Sequence, residues 1–298
     1  MKCDQKSCAG CPSATQKRSK EDLIECRLSR IRNKVLVMSG KGGVGKSSIA
    51  SYLALALAQK GYRVGLLDID LHGPSIAKMF GMHGPLNITA EREILPHEYR
   101  PNLKIVSIES MLEDTDSAII WRGPLKHGVI QQFLADCRWD DLDFLVLDSP
   151  PGTGDEALSI SRFIPDAKAL IVTTPQEVAL ADVRKSINFC RKVGLQILGL
   201  VENMSGLFCP HCSRFIPIFQ TGGGRRTSDA MKVDFLGQLP FDPEVVAGGD
   251  RGNPVLNGGA DTPFVRAVWK FVEAVLKNLG EPVLATDKHG ETRMAGEA

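Results

Sequence analysis

The stretch Gly40-Lys41-Gly42-Gly43-Val44-Gly45-Lys46-Ser47-Ser48 leaves this chain few ways to fold. It satisfies G-x-x-x-x-G-K-[ST], a loop whose backbone must bend round an anion with no side chains in the way. Before it, Val35-Leu36-Val37-Met38 is a short apolar, β-branched run, the pattern of a buried strand. After it, residues 48–60 form an Ala- and Leu-rich helix pattern that Gly61 stops. Strand, glycine turn and helix N-terminus together aim backbone N–H groups and the helix dipole at one point, which is an anion site. In that arrangement Lys46 reaches the β- and γ-phosphates of a nucleotide and the Ser47 hydroxyl sits on Mg²⁺.

The rest of the chain supplies strands that end in carboxylates. Residues 63–68 read as a strand delivering Asp68 and Asp70, two apart and so on one side of the chain. At a carboxyl strand end they face a ligand crevice. Asp70 is expected to orient the attacking water and Asp68 to hold a Mg²⁺-bound water. Leu71-His72-Gly73-Pro74-Ser75 then reads as a mobile turn. Residues 143–148 form an apolar strand ending in Asp148, which it presents to the Mg²⁺ shell. Ser149 to Asp155 follows as a stiff loop with glycine hinges. Residues 103–108, 167–173, 196–201 and 234–239 are further strands; helices are expected at 21–31, from Trp121 to about Asp136, at 177–193, up to about Lys232 and at 263–279. Asn203, just past one strand, is expected to pair with the adenine edge, and the Pro240-Phe241 corner to wall the base. Residues 81–101 read as a surface excursion, Gly222-Gly223-Gly224 as a flexible turn, and Cys137 and Cys190 as semi-buried thiols. These elements predict an α/β fold: a P-loop NTPase with a mostly parallel twisted sheet and helices on both faces.

Composition narrows the setting. The chain has 298 residues, a formal net charge of +1 and eight cysteines. Near-zero net charge argues for neither nucleic acid nor membrane as a partner. No apolar run approaches the roughly 20 residues that span a bilayer, and the first residues have no hydrophobic segment. A cytoplasmic protein is expected, and cysteines there serve more often as metal ligands or buried thiols than as disulfides. Cys3, Cys8 and Cys11 crowd the first dozen residues, with Cys26 as the local candidate for a fourth ligand. Thiolates so close suit an iron–sulfur cluster or zinc. The expected organisation is a cysteine-containing extension over 1–33, the ATPase domain over 34–279 and a disordered tail over 280–298. Cys209-Pro210-His211-Cys212 invites three readings. A redox dithiol opens a helix in a thioredoxin-like unit, which Pro217 and the neighbouring Phe and Ile residues oppose. A zinc ribbon needs a second nearby pair. The third reading makes the pair half of a four-ligand site completed by a two-fold partner.

Lys41 is a second lysine that the ordinary phosphate loop does not require. Its presence resembles the ParA/MinD/nitrogenase-iron-protein class of ATPases, in which this lysine reaches the partner's nucleotide across a dimer. With Asp68-x-Asp70-x-x-Gly73-Pro74-Ser75, Trp121-Arg122-Gly123-Pro124, Asp148-x-Pro150-Pro151-Gly152-Thr153-Gly154-Asp155, Asn203-Met204-Ser205-Gly206 and Cys209-x-x-Cys212, the chain resembles the Mrp/ApbC family of iron–sulfur cluster carrier ATPases over about residues 34–250. The resemblance implies a homodimer, binding of ATP with Mg²⁺ and slow hydrolysis. It also implies a labile [4Fe–4S] cluster bridged by Cys209 and Cys212 of two copies, and its transfer to apo-proteins. The spacing of Cys3, Cys8 and Cys11 departs from the eukaryotic scaffolds of that family. Three other readings stay open: a positioning ATPase of the ParA/MinD kind, an ATP-dependent electron donor, and a zinc-stapled dimer. The first needs a basic amphipathic C-terminal helix or a DNA-binding patch, whereas residues 263–279 carry only Arg266, Lys270 and Lys277 as basic residues.

Overall fold

The structure is a computed structural model that describes residues 19–70, 73–111, 123–282, 285–286 and 292–293. In chain order its elements begin with α1 (Lys20–Leu28), β1 (Ile31–Ser39), α2 (Lys46–Gln59), β2 (Val64–Asp68) and α3 (Ile76–Met79). Three short strands follow, β3 (Asn87–Ile88), β4 (Ile94–Leu95) and β5 (His97–Arg100), then β6 (Leu103–Ser107), α4 (Gly123–Asp136), β7 (Leu142–Asp148), α5 (Asp155–Phe163) and β8 (Lys168–Thr173). The second half holds α6 (Glu177–Val193), β9 (Gln196–Glu202), β10 (Leu207–Phe208), β11 (Phe215–Ile216), α7 (Gly223–Met231), β12 (Phe235–Gln238), α8 (Pro243–Asp250) and α9 (Pro263–Leu279).

Eight strands make one sheet in the order β12-β9-β8-β1-β7-β2-β6-β5, parallel throughout except for β5 at the edge. β1 lies between β7 and β8, so the loop after it emerges where the winding direction changes, the usual ligand crevice of such sheets. Register fixes what meets there. Asp148 pairs with Val37 on one side and Asp68 on the other, and Asp68 pairs in turn with Ser107.

The two faces carry separate cores. α2, with every residue from Ile49 to Ala58 buried, fills one face under α9, and Phe264 meets Tyr52 edge to face at 5.0 Å. The apolar stripe at Phe264, Val268, Phe271, Val272, Val275 and Leu276 is buried there as its helical spacing requires. α1, α4, α5 and α6 cover the other face. Among the described residues no helix is long and apolar enough to cross a membrane.

Several expectations need correction. The helix expected over 21–31 ends at Leu28, because Ile31 already pairs in the sheet. The boundary set at residue 33 therefore falls inside β1, and α1 docks on the domain through buried Ile24 and Leu28. Ser19 and Asp22 close a capping box that starts this helix. The excursion at 81–101 contains β3, β4 and the edge strand β5. Cys137 and Cys190 are fully buried, and burial pushes both thiols up, so they act as small apolar residues. Gly223 and Gly224 are buried residues of the first turn of α7 instead of a flexible turn.

Candidate functional site

Phosphate chemistry is set by one turn of backbone. Gly45 sits at φ +80° as the N-cap of α2, and a Cβ there would meet Asn203 Nδ2 at 2.3 Å. Only glycine allows both the left-handed backbone and that approach. Gly40 to Gly45 thus lead straight into a helix N-terminus, and Ser39, Lys41, Gly42, Gly43, Lys46 and Ser48 are among the residues lining a cavity of about 260 Å³. Ser47, Asp70 and Pro151 line it too. Val44 is buried and points its carbonyl at Asn203, whose Nδ2 donates to it at 3.0 Å. Asn203 therefore supports the loop from beneath.

Three carboxylates surround one lysine. Lys46 Nζ donates to Asp148 Oδ1 at 2.6 Å and lies 3.4 Å from Asp70 Oδ2 and from Ser47 Oγ. Burial alone would depress the ammonium, but Asp148, Asp70 and Asp68 outweigh it and raise its pKa. Asp148 is fully buried, and that burial raises its carboxyl above the usual range against the pull of Lys46. Its Oδ2 has no hydrogen-bond partner. A buried, unpaired carboxylate oxygen beside the Ser47 hydroxyl is the donor set a hard cation such as Mg²⁺ takes. The pair Ser47 and Asp148 thus fits the metal expected there.

Asp68 holds the chain around it. Its carboxylate accepts from Asp70 N at 3.1 Å, from Ser75 N and Ile76 N at 3.3 Å, and from Ser107 Oγ at 3.1 Å. Oδ2 ties Ser75 and Ile76 to the strand end beside Ser107, so Asp68 is a staple for that loop. Burial, then the neighbouring Asp148 charge, push its carboxyl up. Lys41 stands exposed at the mouth of the loop, where it also borders a second cavity, of about 410 Å³, with Val178 and Phe219. Of the turn after Asp70, Leu71 and His72 lie outside the described residues, as do Trp121 and Arg122.

The second site rises from the same end of the sheet. β10 and β11 form a two-residue antiparallel hairpin, and residues 209–214 turn between them. Ser213 N donates to the Cys209 carbonyl at 2.8 Å and Cys209 N to the Arg214 carbonyl at 2.9 Å; Ser213 takes φ +57° to close the turn. Backbone N–H groups of Cys212 and His211, with the Cys212 thiol, hold the Cys209 thiol below its ordinary range. A lowered thiol pKa favours the thiolate, the form of cysteine that binds metal. Cys212 is exposed and Cys209 half-exposed, while Phe208, Phe215, Ile216 and Ile218 stand out around them at 38–43% exposure. A cluster of exposed apolar side chains of this kind marks an interaction surface, and no residue pattern announced it. Pro240 and Phe241 line the groove that Leu207, Phe208 and Cys209 also line, so the structure groups them with the hairpin and not with the phosphate cavity.

Among the described residues no group of three or more His, Cys, Asp or Glu side chains is arranged to hold a metal ion. One copy offers two cysteine sulfurs at the hairpin. Cys26 sits half-buried in α1, and Cys3, Cys8 and Cys11 lie outside the described residues.

Comparison with known proteins adds the following. A family profile described as ParA, NUBPL iron-transfer P-loop NTPase, matches residues 30–276. A cytosolic Fe-S cluster assembly factor NUBP2 homolog of Monosiga brevicollis is 46% identical over 264 residues, 87% of this chain and 93% of that protein. Among solved structures, a nucleotide-binding protein of Archaeoglobus fulgidus in complex with ADP is 35% identical, with a TM-score of 0.70 over 79% of this chain and 92% of its own. The septum site-determining protein MinD of Pyrococcus horikoshii, complexed with Mg-ADP, is 26% identical, with a TM-score of 0.60 over 84% and 98%.

Proposed function

The chain belongs to the NUBPL iron-transfer P-loop NTPase family, and on that footing we propose that it works as a homodimer carrying a labile [4Fe–4S] cluster between the Cys209/Cys212 pairs of two copies, and that it delivers the cluster to apo-proteins. It is an ATPase of the P-loop kind and an iron–sulfur cluster carrier. The Monosiga brevicollis relative is a cytosolic assembly factor by name, and we place this chain in the same compartment. The observation that carries the reading is the knuckle at Cys209, a primed thiol ringed by exposed Phe208, Phe215 and Ile216 on the nucleotide-binding end of the sheet. Two thiolates are half a four-ligand set, and an apolar rim is what a second copy covers.

The residues divide the work as follows. Gly40 to Ser48 cradle the phosphates, and Lys46 leaves Asp148 for the β- and γ-phosphates when ATP binds. Ser47 and Asp148 would hold Mg²⁺, which would supply charge neutralisation on the phosphate oxygens. Asp70, in the cavity, orients the attacking water, and Lys41 crosses to the partner's nucleotide to stabilise the charge that develops. Asn203 braces the phosphate loop from beneath, and Pro240 and Phe241, expected at the base, wall the groove of the hairpin instead. Relaxation of the chain after Asp70 and after Asp148 then loosens the seam that holds the cluster. Cys3, Cys8 and Cys11, with Cys26, hold a second cluster. We assign no nucleic acid and no membrane as partner.

The test is iron and acid-labile sulfide per chain after anaerobic reconstitution, with the visible spectrum. Roughly two irons per chain, lost in Cys209→Ala/Cys212→Ala, fit one [4Fe–4S] shared by two copies. Additional iron lost in Cys3→Ala/Cys8→Ala/Cys11→Ala establishes the second cluster. Zinc in place of iron overturns the carrier reading for a metal-stapled dimer.

A further inference from the structure

Glu202 is the last residue of β9, fully buried, and it belongs to neither the phosphate cavity nor the thiol knuckle. A buried carboxylate needs several good hydrogen bonds, since its desolvation is costly. Here four neutral donors satisfy it. Oε1 accepts from Ser205 Oγ at 2.6 Å, from Gln238 Nε2 at 2.8 Å and from Gly222 N at 3.2 Å, and Oε2 accepts from Gly224 N. The positions of these donors in the chain are informative. Ser205 lies just before the cysteine hairpin and Gly222 just after it, so one carboxylate ties both stems of the inserted segment together. Gly224 lets this happen, because a Cβ there would meet Glu202 Cβ at 2.9 Å and Oε2 at 3.0 Å.

The next residue faces the other site. Asn203 holds the Val44 carbonyl of the phosphate loop through its side chain and the Thr173 carbonyl through its backbone N–H. Ser205 N donates to Leu239 and Phe241 N to Gly206, which stitches the start of the hairpin to the chain after β12. A movement of the phosphate loop at Val44 thus has a path of two residues to the clamp that fixes both hairpin stems.

We infer that Glu202 is a positioning residue that couples nucleotide occupancy to the setting of the Cys209/Cys212 hairpin. For the cluster, its consequence rests on the carrier reading above; the coupling itself does not, because it can be read on iron-free protein. With the carboxylate in place, the hairpin stems are rigidly referenced to the residue beneath the phosphate loop. Without it, Gly222 N and Gly224 N lose their acceptor, and the start of the hairpin is left held by Ser205 N on Leu239 and Phe241 N on Gly206. The nucleotide then still binds, but the thiols no longer sense it.

The experiment compares the full-length iron-free chain with Glu202→Gln, at a concentration where both sediment as monomers, with and without ADP and Mg²⁺. The rate of alkylation of the peptide carrying Cys209 and Cys212 is followed by mass spectrometry, with amide exchange of the same segment. For the wild type, nucleotide is expected to change the alkylation rate by about fivefold or more, the lower end of ordinary allosteric coupling. For Glu202→Gln the response is expected to fall within about twofold, with ADP affinity within about threefold of wild type and exchange in β1 unchanged. Retention of the full response in Glu202→Gln, or no response in the wild type, overturns the proposal. If Glu202→Gln does not fold, Ser205→Ala and Gln238→Ala each remove one donor, and intermediate responses support the clamp, whereas wild-type responses in both overturn it. Thiols that respond to ADP in a protein that binds no iron would leave the clamp standing and refute the carrier reading alone.

Discussion

Around Lys46 three buried carboxylates are held by backbone N–H groups, a serine and one ammonium; around Cys209 a six-residue turn stands on a two-residue ladder with aromatic rings in solvent. The first region is built to keep charge at a fixed place. Its electrostatics are settled before any ligand arrives, which is what makes preorganised charge effective. The second is built to be completed from outside. It presents two cysteines and an apolar rim to solvent, and on the proposed reading a second copy completes both. The comparison teaches that one end of a sheet serves two chemistries by differing in how much of each is finished within the chain.

Removing the ammonium should break this contrast most severely. Lys46→Ala leaves Asp148, Asp70 and Asp68 together without their cation, and breaking a buried ion pair costs about 3–5 kcal/mol. Asp68 and Asp148 already have raised carboxyl pKa values, so the folded chain takes up protons the unfolded chain has released. The loss in Lys46→Ala is therefore expected to be greatest at neutral pH and above. It should shrink as pH falls through the folded pKa values toward the ordinary carboxylate range. Urea unfolding at a series of pH values reads it, and a loss that grows on acidification would show that Lys46 does not carry this cluster.

A smaller effect tests the shape of the loop. Gly45→Ala forces a side chain into φ +80° and against Asn203. Strain of this kind costs about 1–3 kcal/mol. The expected result is a lower Tm together with weaker ADP binding by calorimetry, and wild-type affinity would mean that the loop adapts where the structure has it rigid.

The hairpin should respond in the opposite sense. Phe215 is 43% exposed and stacks edge to face on Phe208 at 5.3 Å. Surface replacements of this kind change stability by about 0.5 kcal/mol or less. Phe215→Ser is thus expected to leave the melting curve nearly in place while weakening self-association in sedimentation experiments. A large stability loss with unchanged association would place Phe215 in the core of one copy and remove the distinction between the two regions.

Much of the frame was legible in the residues. The phosphate loop, the apolar strands before Asp148 and Asp68, the helix at Glu177–Val193 and the stripe of α9 follow from spacing, because burial of one face imposes a period the sequence must keep. The helix at Asp155–Phe163 escaped notice, since Pro150, Pro151, Gly152 and Gly154 ahead of it read as loop. The depth of Cys137 and Cys190 also escaped, because a thiol looks the same in sequence whether it binds metal or fills a core.

What the sequence determined by itself is local: a glycine turn shaped for an anion, strands and helices set by period, and two cysteines held two residues apart. What only the tertiary structure decided is which distant groups meet. Parallel register brought Asp68 beside Asp148 and Ser107, although they are far apart in the chain. The turn of the chain at Ser75 and Ile76 made Asp68 a staple for the loop, since its Oδ2 meets their backbone N–H groups. The return of the chain at Gly222 gave Glu202 its four donors. Hydrogen bonds between residues remote in sequence carry no period, so no pattern along the chain could have announced them.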